Sequence, residues 1–188
     1  RRVRQSTVKQ MKKQRNYAAF WEWPDKDVKE VGIMKDYLAA RDVRQLPRYV
    51  KIAAFKPDPP DFVAEDKDGR LTAIELTELV SKEAIEANIT ASKLEEYVYR
   101  DWRKEEVIAA IEERLSDKDG KQFHGGPYSE IHVLIHVDEP VISPSEYGSI
   151  LEEVPFAPRR QISRAFVWFS PGEYPLVELR LGKHSSSS

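Results

Sequence analysis

One short turn constrains this chain more than any other stretch. Asp66-Lys67-Asp68-Gly69 separates two strand-like runs, Asp61 to Glu65 (DFVAE) and Arg70 to Val80 (RLTAIELTELV), and so predicts a β-hairpin. Lys56 to Pro60 (KPDPP) leads into it. Proline lacks an amide donor and restricts its predecessor, so that piece must be extended or turning. The turn also decides register. A two-residue turn at Asp68-Gly69 makes opposed residue numbers sum to 137 and sends the Asp61 and Glu75 side chains to opposite faces. A three-residue turn, Lys67-Asp68-Gly69 with a left-handed Gly69, makes the sum 136 and sets Asp61 opposite Glu75. The second register is predicted.

The rest of the chain supplies partners for that hairpin. Asp25 is a good N-cap for a helix closing near Asp42, with Val28, Val31, Met34, Leu38 and Ala39 as its apolar stripe. Arg48 to Phe55 reads as a strand. A helical region runs from about Ser81 to Ser116, clearest from Arg103, with Val107, Ile108, Ile111 and Leu115 on one face. Asp119-Gly120 and Gly125-Gly126-Pro127 break it. Glu130 to Val137 is an apolar strand, and Ser143 to Glu153 a short helix with a serine cap followed by proline. Ala165 to Ser170 and Pro175 to Leu181 read as two more strands. Helix, three strands, helical region, strand, helix and two strands imply an α/β (α+β) fold, a mixed central sheet flanked by helices.

A length of 188 residues suits one domain, and no apolar run approaches the ~18 residues of a membrane span. The absence of cysteine excludes disulfide scaffolds, thiolate zinc sites and cysteine nucleophiles. No basic segment followed by an apolar stretch opens the chain, so a cytoplasmic protein is expected. Charge is uneven. Residues 1–15 hold seven of the 30 basic residues and no acid, leaving the remainder at −9. The expected organisation is a flexible basic arm (1–15), one domain (16–184) and a tail (185–188). Arg4, Lys9, Lys12, Lys13 and Arg15 suit phosphate binding, although such an arm also serves as a solubilising or partner-binding tail.

Most charges here have an ordinary home on exposed faces, but Glu75 does not. It sits inside Ala73-Ile74-Glu75-Leu76-Thr77, where a carboxylate costs free energy unless it is solvated in a cleft, paired, or bound to a metal. Asp61 follows two prolines at the mouth of the preceding strand. Two convergent carboxylates with a backbone carbonyl make an oxygen-rich site suited to Mg²⁺. The plainer alternatives are a turn-forming Asp61 and a Glu75 that faces water or pairs with Arg or Lys. If Glu75 serves a metal, its removal is expected to leave stability unchanged or raised.

Other groups offer weaker signals. His132 and His136 share a strand face with Asp138 near, a zinc-like trio that simple alternation in a half-exposed strand also explains. Tyr97, Tyr99, Arg100, Trp102, Arg103 and Lys104 are an aromatic-basic cluster fit either to grip nucleic acid, with Arg100 and Arg103 on phosphates, or to pack a core.

Pro60-Asp61, a hairpin, then Glu75-Leu76-Thr77 resembles the PD-(D/E)xK signature of the restriction-endonuclease-like nucleases, whose core order matches residues 25–137. The resemblance implies a Mg²⁺- or Mn²⁺-dependent nuclease cutting DNA to leave 5′-phosphates, with Asp61, Glu75 and the Leu76 carbonyl as metal ligands. Glu30 matches an accessory helix carboxylate. Thr77 stands where the family carries lysine, whose amine activates water or stabilises the transition state. Lys82, Lys93, Lys104 and Lys51 are candidates to replace it. The alternative is a degenerate member that binds nucleic acid or assembles with protein without cutting. Such nucleases often dimerise, and Ala165 to Leu181 is a candidate interface between two copies.

Overall fold

Asp66 to Gly69 closes the hairpin in the three-residue register. The computed structural model describes residues 26–81, 101–137, 139, 141–169 and 176–183. Phe62 pairs with Ile74 and Glu65 with Leu71, so opposed numbers sum to 136. Gly69 has φ 77°, a left-handed backbone that glycine adopts without steric cost. Its N–H donates to the Asp66 carbonyl at 3.1 Å. The Asp66 carboxylate accepts from the Asp68 and Arg70 N–H groups and from the Arg70 guanidinium, which holds the turn in one conformation.

That hairpin is part of a six-stranded mixed sheet. In chain order the elements are α1 (Lys26–Val43), β1 (Lys51–Ala54), β2 (Phe62–Glu65), β3 (Leu71–Leu79), α2 (Lys104–Asp119) and β4 (Glu130–Val137). They continue with α3 (Pro144–Glu153), β5 (Pro155–Phe156), β6 (Arg164–Phe169), β7 (Leu176–Glu178) and β8 (Arg180–Leu181). The sheet order is β1-β2-β3-β4-β6-β7. β3, β4 and β6 run parallel, while β1, β2 and β7 are antiparallel to their neighbours. Parallel neighbours need long crossovers, and α2 and α3 lie in those crossovers. The fold is therefore α/β, a mixed sheet flanked by helices.

Both sheet faces carry apolar cores, because alternate residues leave opposite faces. Val133, Ile135 and Val137 of β4 join Val107, Ile111 and Leu115 of α2 in one core. Leu134 joins Ile33, Met34, Tyr37 and Ala40 of α1 in the other. Full burial of each of these Val, Leu, Ile and Met side chains stabilises the fold by about 1.5–3 kcal/mol. Helix ends are satisfied locally: the Glu106 carboxylate accepts the Arg103 N–H at 2.9 Å, and Ser143 Oγ accepts the Glu146 N–H.

Three expectations need correction. The buried stripe of α1 is Ile33, Met34, Tyr37 and Ala40 with Arg41, whereas Val31 and Ala39 are exposed and Leu38 is half-buried. The helix is rotated because Tyr37 and Arg41 bury together: the guanidinium donates to the Tyr37 hydroxyl and the Pro47 carbonyl, both at 2.9 Å. Residues 101–103 are not helical, and α2 runs three residues past Ser116. The final strand is divided at Leu179, with β7 pairing β6 and β8 pairing the unforeseen β5. β6 has a neighbour on both sides, so among the described residues of the Ala165 to Leu181 stretch β7 is the strand at an edge of the large sheet. Asp25 lies outside the described residues. Among those residues no helix is long and apolar enough to cross a membrane.

Candidate metal centre

Register alone brings Asp61 to Glu75. Asp61 lies one residue before β2, opposite Glu75 in the continued pairing, so both side chains leave the sheet on the α2 side. Its Oδ2 accepts the Leu76 N–H at 2.7 Å, tying the carboxylate to β3 at the point where β2 gives out. A strand residue's N–H and C=O point towards the same neighbour, so the Leu76 carbonyl also faces Asp61. The Leu76 side chain packs in the α1-side core.

Glu75 forms the floor of the site and is only 1% exposed. Its Oε1 accepts from Lys118 Nζ at 2.5 Å and Lys121 Nζ at 3.0 Å. Its Oε2 is buried without a hydrogen-bond partner. Asp58, exposed on the proline turn, completes the group: Asp58, Asp61 and Glu75 each offer an oxygen within 4.8 Å of the others. Thr77 is half-buried two residues further along the strand, on the Glu75 face.

Electrostatics make this a strained collection of charge. Burial, then the Glu75 charge, push the Asp61 carboxyl up to about 7. The Leu76 N–H opposes them, Glu30 on α1 adds to the rise, and Lys118 pulls the other way. For Lys121, burial disfavours the ammonium, but the Glu75 hydrogen bond and charge outweigh it and raise its pKa. A cation among the three carboxylates offsets the repulsion that now favours a proton on Asp61. The donors are all oxygen, the ligand type of hard cations such as Mg²⁺, Ca²⁺ or Mn²⁺. The unpartnered Glu75 Oε2 fits such an ion.

The two lysines revise the expectation for Glu75. Its removal takes a partner from Lys118, whose side chain is 15% exposed, so Glu75→Ala is now expected to be destabilising. Lys118 and Lys121 are the amines that lie against Glu75. Lys104 and Arg103 sit at the start of α2, roughly 21 Å along its axis from Lys118 at ~1.5 Å per residue. Lys51 is exposed on the edge strand β1. Lys82, Lys93 and Arg100 lie outside the described residues, as do Tyr97, Tyr99 and the arm residues Arg4, Lys9, Lys12, Lys13 and Arg15. Trp102 is buried in the α2-side core, where its carbonyl accepts from Tyr147.

Among the described residues His132 and His136 join no metal-ligating group, and Asp138 lies outside those residues. Both histidines are buried rather than half-exposed. His132 meets Tyr49 and Glu130, whereas His136 stacks on Trp168. Asp58, Lys118 and Lys121 were not singled out from sequence. A signal existed for Lys118, which continues the Ile111–Leu115 stripe towards the sheet. Comparison with known protein families, characterised proteins and solved structures gives no match in any of the three.

Proposed function

We propose that this chain is a metal-dependent nuclease hydrolysing DNA phosphodiester bonds, built on the plan of the PD-(D/E)xK enzymes it resembles. One observation carries the reading: Asp61 and Glu75 converge from adjacent strands, with an amine against the glutamate. Asp58, Asp61, Glu75 and the Leu76 carbonyl are the groups to hold Mg²⁺ or Mn²⁺, and Glu30 adds negative potential nearby. The bound ion supplies an activated water and neutralises charge growing on the phosphate.

The chain's own groups divide the remaining work. Lys118 holds the Glu75 side chain by its hydrogen bond and stands in for the amine missing at Thr77. Lys121, 38% exposed, reaches outward and is placed to meet a phosphate oxygen. Incubating the purified protein with DNA under Mg²⁺, Mn²⁺ or EDTA tests this. Cleavage that requires the divalent ion, leaves 5′-phosphates and vanishes in Asp61→Asn supports the reading. A parent that never cuts under any divalent metal assigns the chain instead to a nuclease-fold module that binds without cleaving.

A further inference from the structure

We propose that the cleft beside Lys121 is a nucleotide subsite, taking a phosphate on Lys121 and Arg160 and an unpaired base on Phe123 and Tyr128. The nuclease reading enters only in naming the polymer as DNA. The cleft has a volume of about 400 Å³ and opens to solvent. That falls within the ~300–1,000 Å³ usual for small-ligand pockets. Its lining includes two cations, two aromatic rings and no acid, on a body that carries −9 outside residues 1–15. An anion joined to a π-face is the ligand chemistry that combination recognises.

Both walls are fixed without a ligand. On one side the Asp119 carboxylate accepts the N–H groups of Arg160, Gln161 and Ile162 at 2.8, 2.9 and 3.2 Å. Gln161 Nε2 donates to the carbonyls of Asp119 and Lys121 at 2.5 and 2.7 Å, joining this wall to the end of α2. On the other side the His124 N–H donates to the Pro59 carbonyl at 3.0 Å, and the Tyr128 hydroxyl to the His124 carbonyl. Gly125, at φ 80°, lies so close to the Phe55 ring that a β-carbon there would collide with it. The His124 bond ties the cleft to the turn that carries Asp58. Lys121 ties it to Glu75. A phosphate on Lys121 therefore lies beside the carboxylate cluster, and its base has a preorganised place to rest.

Binding without turnover tests the subsite. Fluorescence anisotropy of a labelled eight-nucleotide thymidine strand, in Ca²⁺, is measured for the full chain and its variants. Arg160→Ala is expected to weaken binding about tenfold. It should also flatten the log–log salt dependence by about 0.7. Its thermal stability and Mn²⁺ affinity should match the parent's. Phe123→Leu keeps apolar bulk without the π-face, so it should weaken the thymidine strand about fivefold but leave an abasic strand of equal length unaffected. A parent that binds neither strand, an Arg160→Ala variant with parental affinity and slope, or equal losses on both strands in Phe123→Leu overturns the proposal. A parent that binds as described yet never cleaves sinks the nuclease reading and leaves the subsite. A cleaving parent whose Arg160→Ala variant binds normally does the reverse.

Discussion

Glu75 and Glu78 lie three residues apart on β3, yet one faces α2 and the other α1. Both are buried beside lysine: Lys118 and Lys121 bond to Glu75, and Lys29 lies 3.5 Å from Glu78. Their further neighbours differ. Glu78 is 3.9 Å from His136 Nδ1, whose ring stacks on Trp168 with 4.8 Å between centroids. Glu75 sits where β2 ends, with Asp61 and Asp58 converging on it. Among the described residues no such carboxylate group forms around Glu78. A buried, lysine-paired carboxylate is thus not by itself the mark of a site. Convergence of further carboxylates at the end of a strand is what marks a candidate site.

Conservative substitutions should separate the two regions most widely. Glu75→Gln and Asp61→Asn are each expected to reduce Mn²⁺-dependent DNA cleavage about a thousandfold, the several kcal/mol a metal contributes to the transition state. Glu78→Gln should leave initial rates within about threefold of the parent. Equal losses in all three variants would erase the functional distinction between the two glutamates.

Stability should run in the opposite order. Glu78→Ala removes a buried anion from beside Lys29 and is expected to cost about 3–5 kcal/mol in urea unfolding. Glu75→Ala should cost less, about 1–3 kcal/mol, because Lys121 can turn to water and only Lys118 is left in place. A larger loss at Glu75 would make it chiefly a structural partner of the lysines.

The two regions also respond to pH with opposite signs. In metal-free protein the folded-state pKa of Asp61 is about 7, above its unfolded value of 3.8. Its protonated form favours folding, and that contribution is lost as pH rises from about 4 through 7. Burial, with the Lys29 charge, lowers His136 to about 3 from 6.5, so its contribution is lost as pH falls from about 6.5 through 3. Asp61→Asn should remove the first slope and His136→Gln the second, read from urea midpoints across pH. If neither slope changes, the assigned burial of these groups is wrong. The smallest effect is expected from Thr77→Lys. With Lys118 already against Glu75, an added amine should alter cleavage by no more than about threefold.

The hairpin was legible because turn chemistry is local. Only glycine takes a left-handed position cheaply, and Gly69 at the third loop position sets the register that brings Asp61 and Glu75 together. α3 was legible for a similar reason, its Ser143 cap and Pro144. What escaped depends on tertiary contact. Lys118 and Lys121 reach Glu75 across 43 and 46 residues of sequence. The α1 stripe was misplaced because Tyr37 and Arg41 satisfy each other when buried, which apolar periodicity does not register. Asp58 read as part of a proline turn, and only the folded turn shows its carboxylate approaching Glu75.

Divalent-ion binding reads the Asp58, Asp61 and Glu75 group itself. Titrating Mn²⁺ into the metal-free protein near pH 7, with the free ion followed by electron paramagnetic resonance and proton release by buffer-dependent calorimetry, addresses site and charge together. A saturable Mn²⁺ site is expected in the parent, with proton release on binding as the ion displaces the proton from Asp61, and with loss of both in Asp61→Asn. Glu78→Gln should titrate like the parent. A parent that binds no Mn²⁺, or an Asp61→Asn variant that binds it equally well with equal proton release, would show that these carboxylates hold no divalent ion.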